Sequence, residues 1–280
     1  MIPTAFEYQR PGSVDEAVKL LSKHGEDAKV LAGGHSLLPA MKLRLAQPRV
    51  VIDIGRIADL RYIRERDGKI AVGATSTHFD IESSDLLKRR CPLLPETAAT
   101  IGDVQVRNRG TIGGSLAHAD PAADWPAAIL ALDAEIDLAG PGGKRTVNAG
   151  AFFVDMLQTA TRPNEIITEI RVPATAASAA YAKFHQKASG FAIVGAAAVI
   201  DKGKGSVAVG VTGVAAKAYR AGAVERALRG SLSAAAIASA AGRAAEGVEP
   251  LSDIHASAEY RAHLAGVYVR RALEAALKRA

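Results

Sequence analysis

The chain has a single cysteine, Cys91, among 280 residues. One thiol cannot make an intrachain disulfide or a cysteine zinc site. Nor can it hold an iron–sulfur cluster within this chain, since clusters usually take four thiolates. Such sparing use of cysteine fits a reducing compartment. Aromatics are also scarce, at 5% with one tryptophan. The densest basic spots, Lys88-Arg89-Arg90 and Arg270-Arg271, do not alternate with aromatics. The excess of Lys+Arg over Asp+Glu, 35 against 29, is only +6 over the whole length. Nucleic acid is therefore not an expected partner, and the basic spots read as solvated surface or as a face for an acidic protein. No apolar run reaches the roughly 18 to 20 residues that span a membrane. The opening MIPTAFEYQR lacks the charged-then-apolar order of a secretory signal. The expected location is the cytoplasm, free or peripheral to the inner face of the membrane. Two nucleotide fingerprints are missing as well. No G-x-G-x-x-G occurs: Gly140-Pro141-Gly142-Gly143 carries Arg145 where the last glycine belongs. No G-x-x-x-x-G-K-[ST] occurs either, so a Rossmann dehydrogenase and a P-loop NTPase are both disfavoured.

What is present is an ordinary globular balance, 49% hydrophobic and 23% charged, in a length that suits about two domains. Ser13 is placed to cap a helix over Val14 to His24, with Glu16 at the capping-box position. Ala28–Ala32 and Val50–Ile54 read as buried strands around a helical or turn-like Ser36–Leu45, a βαβ-like rhythm. From Leu60 to Val172 a mixed α+β pattern follows. It has a strand at Lys69–Gly73, helices over Thr77–Leu87 and Pro92–Ile101, and strands near Ala134–Leu138 and Glu165–Val172. The small-residue run Ala174–Ala180 suits a connector. Beyond it, strands are expected at Tyr181–Gln186, Ala192–Ile200 and Ser206–Thr212, the last two joined through Asp201-Lys-Gly-Lys-Gly205. Alanine-rich helices then run from about Ala223 to Ala280. The expected domains are 1–175, with subdomains of about 1–55 and 56–175, and 176–280.

Two glycine-centred segments carry the chemistry. In Ala32-Gly33-Gly34-His35-Ser36-Leu37 a strand ends on paired glycines, and Ser36 could cap the next helix. Successive N–H groups of such a turn can face one way and hold phosphate oxygens. The alternative is a plain strand-to-helix turn. In Thr111-Ile112-Gly113-Gly114-Ser115 two glycines again meet hydroxyl residues, and small residues lead on to Asp120 and Asp124. Asp120 reads as the cap of a helix starting at Pro121. A carboxylate such as Asp124 can accept from ligand hydroxyls. Two diphosphate-friendly segments suit a dinucleotide lying between two subdomains. No His, Asp and Glu set has metal-ligand spacing, and Cys91, before Pro92, reads as a packed thiol.

Ala32-Gly33-Gly34-His35-Ser36-Leu37-Leu38-Pro39 resembles the first flavin loop of the FAD-binding medium subunits of molybdenum hydroxylases, the carbon monoxide dehydrogenase and xanthine dehydrogenase family. Gln105-Val106-Arg107-Asn108, Thr111–Ser115, Ala119-Asp120-Pro121 and Asp124 resemble the other. The likeness extends through Phe6-Glu7-Tyr8, Pro11 and Tyr181-Ala182-Lys183-Phe184, over essentially the whole chain. It implies an α+β fold with two subdomains of a PCMH-type FAD-binding domain. A C-terminal domain with a three-stranded antiparallel sheet and helices would follow. Ala32, Gly33, Gly34, His35, Ser36 and Leu37, with Thr111, Gly113, Gly114 and Ser115, would wrap the FAD. Ile101 would be an apolar contact, Asp124 a hydroxyl acceptor, and the backbone near Ile166 and Ile167 would meet the flavin. Lys187 would be a cation near the ring, and Phe191 or Tyr181 would shield one face. His118 is expected to be structural.

The implied function is electron transfer within a complex. A large molybdopterin-binding subunit would oxidise the substrate and a small two-iron two-sulfur subunit would carry electrons. This chain's FAD would pass them to an external acceptor. No side chain here is expected to act as an acid or base. The rivals are a stand-alone flavoenzyme with its own substrate and a basic binding module whose glycine segments are only turns.

Overall fold

The computed structural model describes residues 2–174 and 178–280. Three hydrophobic cores organise it, and the cleft discussed below is lined by residues of the first two along the chain.

The first unit holds β1 (Glu7–Gln9), α1 (Val14–His24), β2 (Ala28–Leu31), α2 (Leu37–Lys42) and β3 (Val50–Asp53). The strands form a parallel sheet in the order β1-β3-β2. Ser13 Oγ accepts from Glu16 N at 3.2 Å, but the Glu16 carboxylate turns to Gly12 N at 2.7 Å, one residue before the usual capping-box partner. The α1 face of Ala17, Val18 and Leu21 closes on Val50 and Ile52. Pro39 does not stop α2. It sits in the first turn, where its missing N–H has no intrahelical partner to lose.

The second unit is built on an antiparallel sheet ordered β4-β5-β10-β6-β7. Its strands are β4 (Ile63–Arg66), β5 (Lys69–Gly73), β6 (Glu135–Gly140), β7 (Gly143–Asn148) and, after the small hairpin β8 (Phe153–Asp155) and β9 (Gln158–Thr159), β10 (Ile166–Pro173). The helices are α3 (His78–Ser83), α4 (Asp85–Arg90), α5 (Leu93–Ala99), α6 (Val104–Arg109), α7 (Ile112–His118), α8 (Trp125–Ala131) and α9 (Ala149–Phe152). The helix expected over Thr77–Leu87 is two helices, because Ser84 ends α3 and caps α4. Thr77 and Asp80 form the full capping box of α3. The helix expected at Pro121 begins instead at Trp125. Asp120 Oδ1 closes a short turn by accepting from Ala122 N at 2.8 Å. A bulge between Ile167 and Glu169 bends the start of β10. Before it, Ile166 packs into the core of the first unit and Ile167 into that of the second, because successive strand side chains point to opposite faces. Cys91 is buried, and burial pushes its thiol up to about 12, so it stays protonated and packs as an apolar group.

The C-terminal unit has β11 (Ser178–His185), β12 (Ala192–Asp201), β13 (Ser206–Thr212) and β14 (Tyr219–Arg220), with α10 (Gly222–Ala227), α11 (Ala234–Ala241) and α12 (Ala258–Lys278). The three long strands are antiparallel, and the two-residue β14 adds an edge. The connector expected over Ala174–Ala180 falls partly on 175–177, outside the described residues; Ser178–Ala180 already belong to β11. The 21-residue α12 buries Leu264, Ala265, Tyr268, Val269, Ala272, Leu273 and Ala276, a stripe at helical spacing, against β11 and β12. Leu264, Val269 and Leu273 each contribute roughly 1.5–3 kcal/mol. The opposite face of this sheet meets α8. Gly210 permits that approach, since a Cβ there would overlap the carbonyl of Ala127. Among the described residues no helix is long and apolar enough to cross a membrane.

Candidate functional site

A cleft of about 550 Å³ opens between the three units, within the range of ligand sites. Its walls come from residues 29–37, 101–102, 110–124, 157–167 and 189–191, with Ala74 and His78 between them. Of the residues expected at the site, Ala32 to Leu37, Ile101, Thr111, Gly113, Gly114, Ser115, Asp124, Ile166 and Ile167 all line it.

The two glycine segments differ in what they offer. Gly34 takes the left-handed conformation, φ +80°. Gly33 is needed for close approach. A Cβ there would stand 2.8 Å from the carbonyl carbon of Arg109 and 2.9 Å from Gly110 Cα. The N–H groups of Gly33, Gly34, His35 and Ser36 meet no acceptor among the described residues. Ser36 does not cap α2, which leaves its hydroxyl available too. The second segment is not a loop but the first turn of α7. Thr111 caps it, accepting from Gly114 N at 3.1 Å, while Ile112 N and Gly113 N donate to Ser76 O and Ala74 O. The amides of Ile112 to Ser115 are spent. Its glycines serve instead to bring a small-residue surface close to Ala74 and to the first segment.

Asp124 is buried, and its two oxygens are engaged. Tyr181 Oη donates to one at 2.6 Å and Lys183 Nζ to the other at 2.8 Å. Lys183 also donates to Thr100 O at 2.9 Å. Burial pushes the Asp124 carboxyl up, and the Lys183 ammonium opposes that shift. Asp124 was expected to accept from a ligand; here it first ties the start of α8 to β11 of the C-terminal unit. Tyr181 is consequently withdrawn from the cleft, and Phe191, 48% exposed, is the aromatic that reaches it. Lys187 lies outside the lining. Gln186 accepts from Ser189 N and Gly190 N, and this closed turn leaves Lys187 exposed. His118, expected to be structural, lines the cleft beside Asp120 with 42% of its side chain exposed.

Sequence reasoning missed several lining residues. His78 opens α3 and is buried. It accepts from Trp125 Nε1 at 3.1 Å, and burial pushes the imidazole down to about 4. Thr161 has a buried hydroxyl with no partner among the described residues. Glu165 is held by Arg145 at 2.7 and 2.6 Å, which keeps its carboxyl below the usual range. No local pattern marks these residues, because each reaches the cleft from a different element.

The His78 shift carries a pH dependence. As pH falls through about 6.5, the unfolded chain takes up a proton that the folded chain refuses until about 4. Stability contributed by this group is complete above that window and is lost within it, up to about 3 kcal/mol. Urea unfolding at pH 7.5 and 4.5 is expected to show a smaller acid loss for His78→Asn than for wild type. Equal losses would count against the assignment.

The cleft suits a long ligand with a diphosphate, a hydroxyl chain and a flat ring. Acceptor-less amides lie at Gly33–Ser36, an unpartnered hydroxyl at Thr161, and apolar walls at Ile101, Ile166, Ile167 and Phe191. The comparisons agree. Residues 4–175 match the FAD binding domain in molybdopterin dehydrogenase, and residues 179–276 the CO dehydrogenase flavoprotein C-terminal domain. The chain is 46% identical to the carbon monoxide dehydrogenase medium chain of Hydrogenophaga pseudoflava, over 100% of this chain and 99% of that one. It is 35% identical to the glyceraldehyde dehydrogenase medium chain of Sulfolobus acidocaldarius, over 98% and 99%. The solved carbon monoxide dehydrogenase from Hydrogenophaga pseudoflava superposes with a TM-score of 0.96 at 47% identity, over 100% of this chain and 99% of that one. Fold and cleft thus define a flavoprotein subunit of an oxidoreductase, with FAD as its cofactor. The chain belongs to the FAD-binding medium subunits of the molybdenum hydroxylase family.

Proposed function

We propose that this chain is the electron-relaying subunit of a cytoplasmic molybdenum hydroxylase. Electrons would leave the substrate at a large molybdopterin-binding subunit, travel through a small two-iron two-sulfur subunit, and leave this chain for an external acceptor. Bound FAD supplies the redox chemistry, and the chain supplies binding and orientation. The observation that carries this reading is the cleft. It brings together amides of Gly33–Ser36 that meet no acceptor among the described residues and the small-residue start of α7, in a chain that matches medium subunits over its whole length. In this reading Gly33 to Ser36 hold the diphosphate, Thr161 and Ser115 offer hydroxyls, and Ile101, Ile166, Ile167 and Phe191 pack on the ring. The lone, packed Cys91 is consistent with a reducing compartment.

Purified chain is expected to bind FAD, read as quenching of flavin fluorescence. Gly114→Leu places its side chain against the Thr111 cap and toward Ala32. It is expected to weaken FAD binding about 100-fold, roughly 2.7 kcal/mol, with an unchanged circular dichroism spectrum. Wild-type chain that ignores FAD would sink the reading. Purified from its native source, the chain should co-elute with two further subunits and with molybdenum and iron. Substrate turnover by the isolated chain would instead favour the stand-alone flavoenzyme.

A further inference from the structure

We propose that His78 is a fixed, single hydrogen-bond donor to a phosphoryl oxygen of the dinucleotide bound in the cleft. This rests on the reading of the cleft as the FAD site. Trp125 Nε1 carries a hydrogen and has no acceptor capacity. It stands 3.1 Å from His78 Nδ1, so Nδ1 is the acceptor and the neutral ring holds its proton on Nε2. The Nδ1 edge faces the core, where Trp125 is fully buried. His78 nevertheless lines the cleft, so the Nε2 edge is the one that faces it. Among the described residues Nδ1 is the ring nitrogen that takes part in a hydrogen bond. Its place is the seam between the two glycine segments. A Cβ on Gly33 would stand 2.9 Å from Gly110 Cα, and a Cβ on Gly110 would stand 2.6 Å from Nε2. Gly33 and the Nε2 donor therefore both border Gly110.

The ring is also fixed in position. The His78 backbone N–H donates to Gly110 O at 2.9 Å, and the Thr77–Asp80 capping box sets the start of α3. Burial, with His35 and Arg107 nearby, keeps the imidazole at about 4, so the single-donor form persists at neutral pH. Among the described residues the lining contains Lys29 but no arginine. A neutral donor adds to the amide cradle without placing a desolvated cation there.

Two substitutions separate this role from a structural one. In His78→Asn the amide oxygen can still accept from Trp125, but the side chain ends short of the cleft. In His78→Gln an amide N–H reaches about as far as Nε2. The assay is titration of the full apo chain with FAD, together with its melting temperature and the emission of Trp125, the sole tryptophan. His78→Asn is expected to weaken FAD binding about tenfold, with melting temperature and emission unchanged, and His78→Gln to restore most of it. Wild-type affinity in His78→Asn overturns the proposal alone. So does equal loss in both variants with a lowered melting temperature. Failure of wild type to bind FAD overturns the cleft reading and this proposal with it.

Discussion

Lys183→Met is expected to cost about 3–5 kcal/mol of stability, measured by urea unfolding at pH 7. Lys183 and Asp124 form an ion pair at 2.8 Å in which each side chain is only 5% exposed. Removing the ammonium strands a carboxylate away from water, and its remaining partner, the Tyr181 hydroxyl, does not neutralise it. The pH dependence gives the mechanism a sign. Burial already raises the Asp124 carboxyl, and losing Lys183 raises it further. The folded variant would then bind a proton more readily than the unfolded chain, so the deficit should shrink as pH falls toward 4. Adding Asp124→Asn should recover much of the loss, because the site then holds no charge and Tyr181 keeps an acceptor. A deficit that is flat with pH and unrelieved in the double variant would refute the buried-charge account. The pair joins α8 to β11, and Lys183 also holds Thr100 O beside Ile101. The single variant should therefore lose FAD more readily as well.

Gly33→Ala is expected to weaken FAD binding about 100-fold and to cost about 1–3 kcal/mol of stability. The added methyl would meet backbone atoms, the Arg109 carbonyl and Gly110 Cα, which cannot rotate aside. The two glycine segments must then part, which moves the amides of Gly33 to Ser36. Gly142→Ala is the matched control. Nothing lies within 4 Å of its Cβ position, so affinity and stability should both be unchanged. Affinity retained in Gly33→Ala would show that the contact between segments does not shape the site.

Much of the local structure was legible because local rules decide it. Ser13 caps α1, and Lys69–Gly73 forms the expected strand β5. Glycine and lysine residues after Asp201 join β12 to β13, and α12 carries an apolar stripe at helical spacing. Gly33, Gly34, Gly113 and Gly114 were legible as site residues through their pairing and their hydroxyl neighbours. Their roles were not. Thr111 to Ser115 looked like a second amide cradle, yet Gly113 N is claimed by Ala74 O, and Ala74 lies far away in the sequence. Lys187 looked like the site cation, yet Gln186 closes the turn and leaves it in solvent.

The resemblance carried by the two glycine segments pointed to the class of the chain; the sequence by itself determined the order of its units and the two segments that face the cleft. Those features depend on residue type and short spacing: glycine where backbones must meet, hydroxyls at caps, apolar periodicity where faces are buried. Only the tertiary structure decided which amides stay without an acceptor. It also bound Asp124 to Tyr181 and Lys183 and placed the Nε2 edge of His78 at the seam between the segments. These are contacts between elements 47 to 59 residues apart. A hydrogen bond or a burial cost depends on what folding brings alongside, and no local pattern records that.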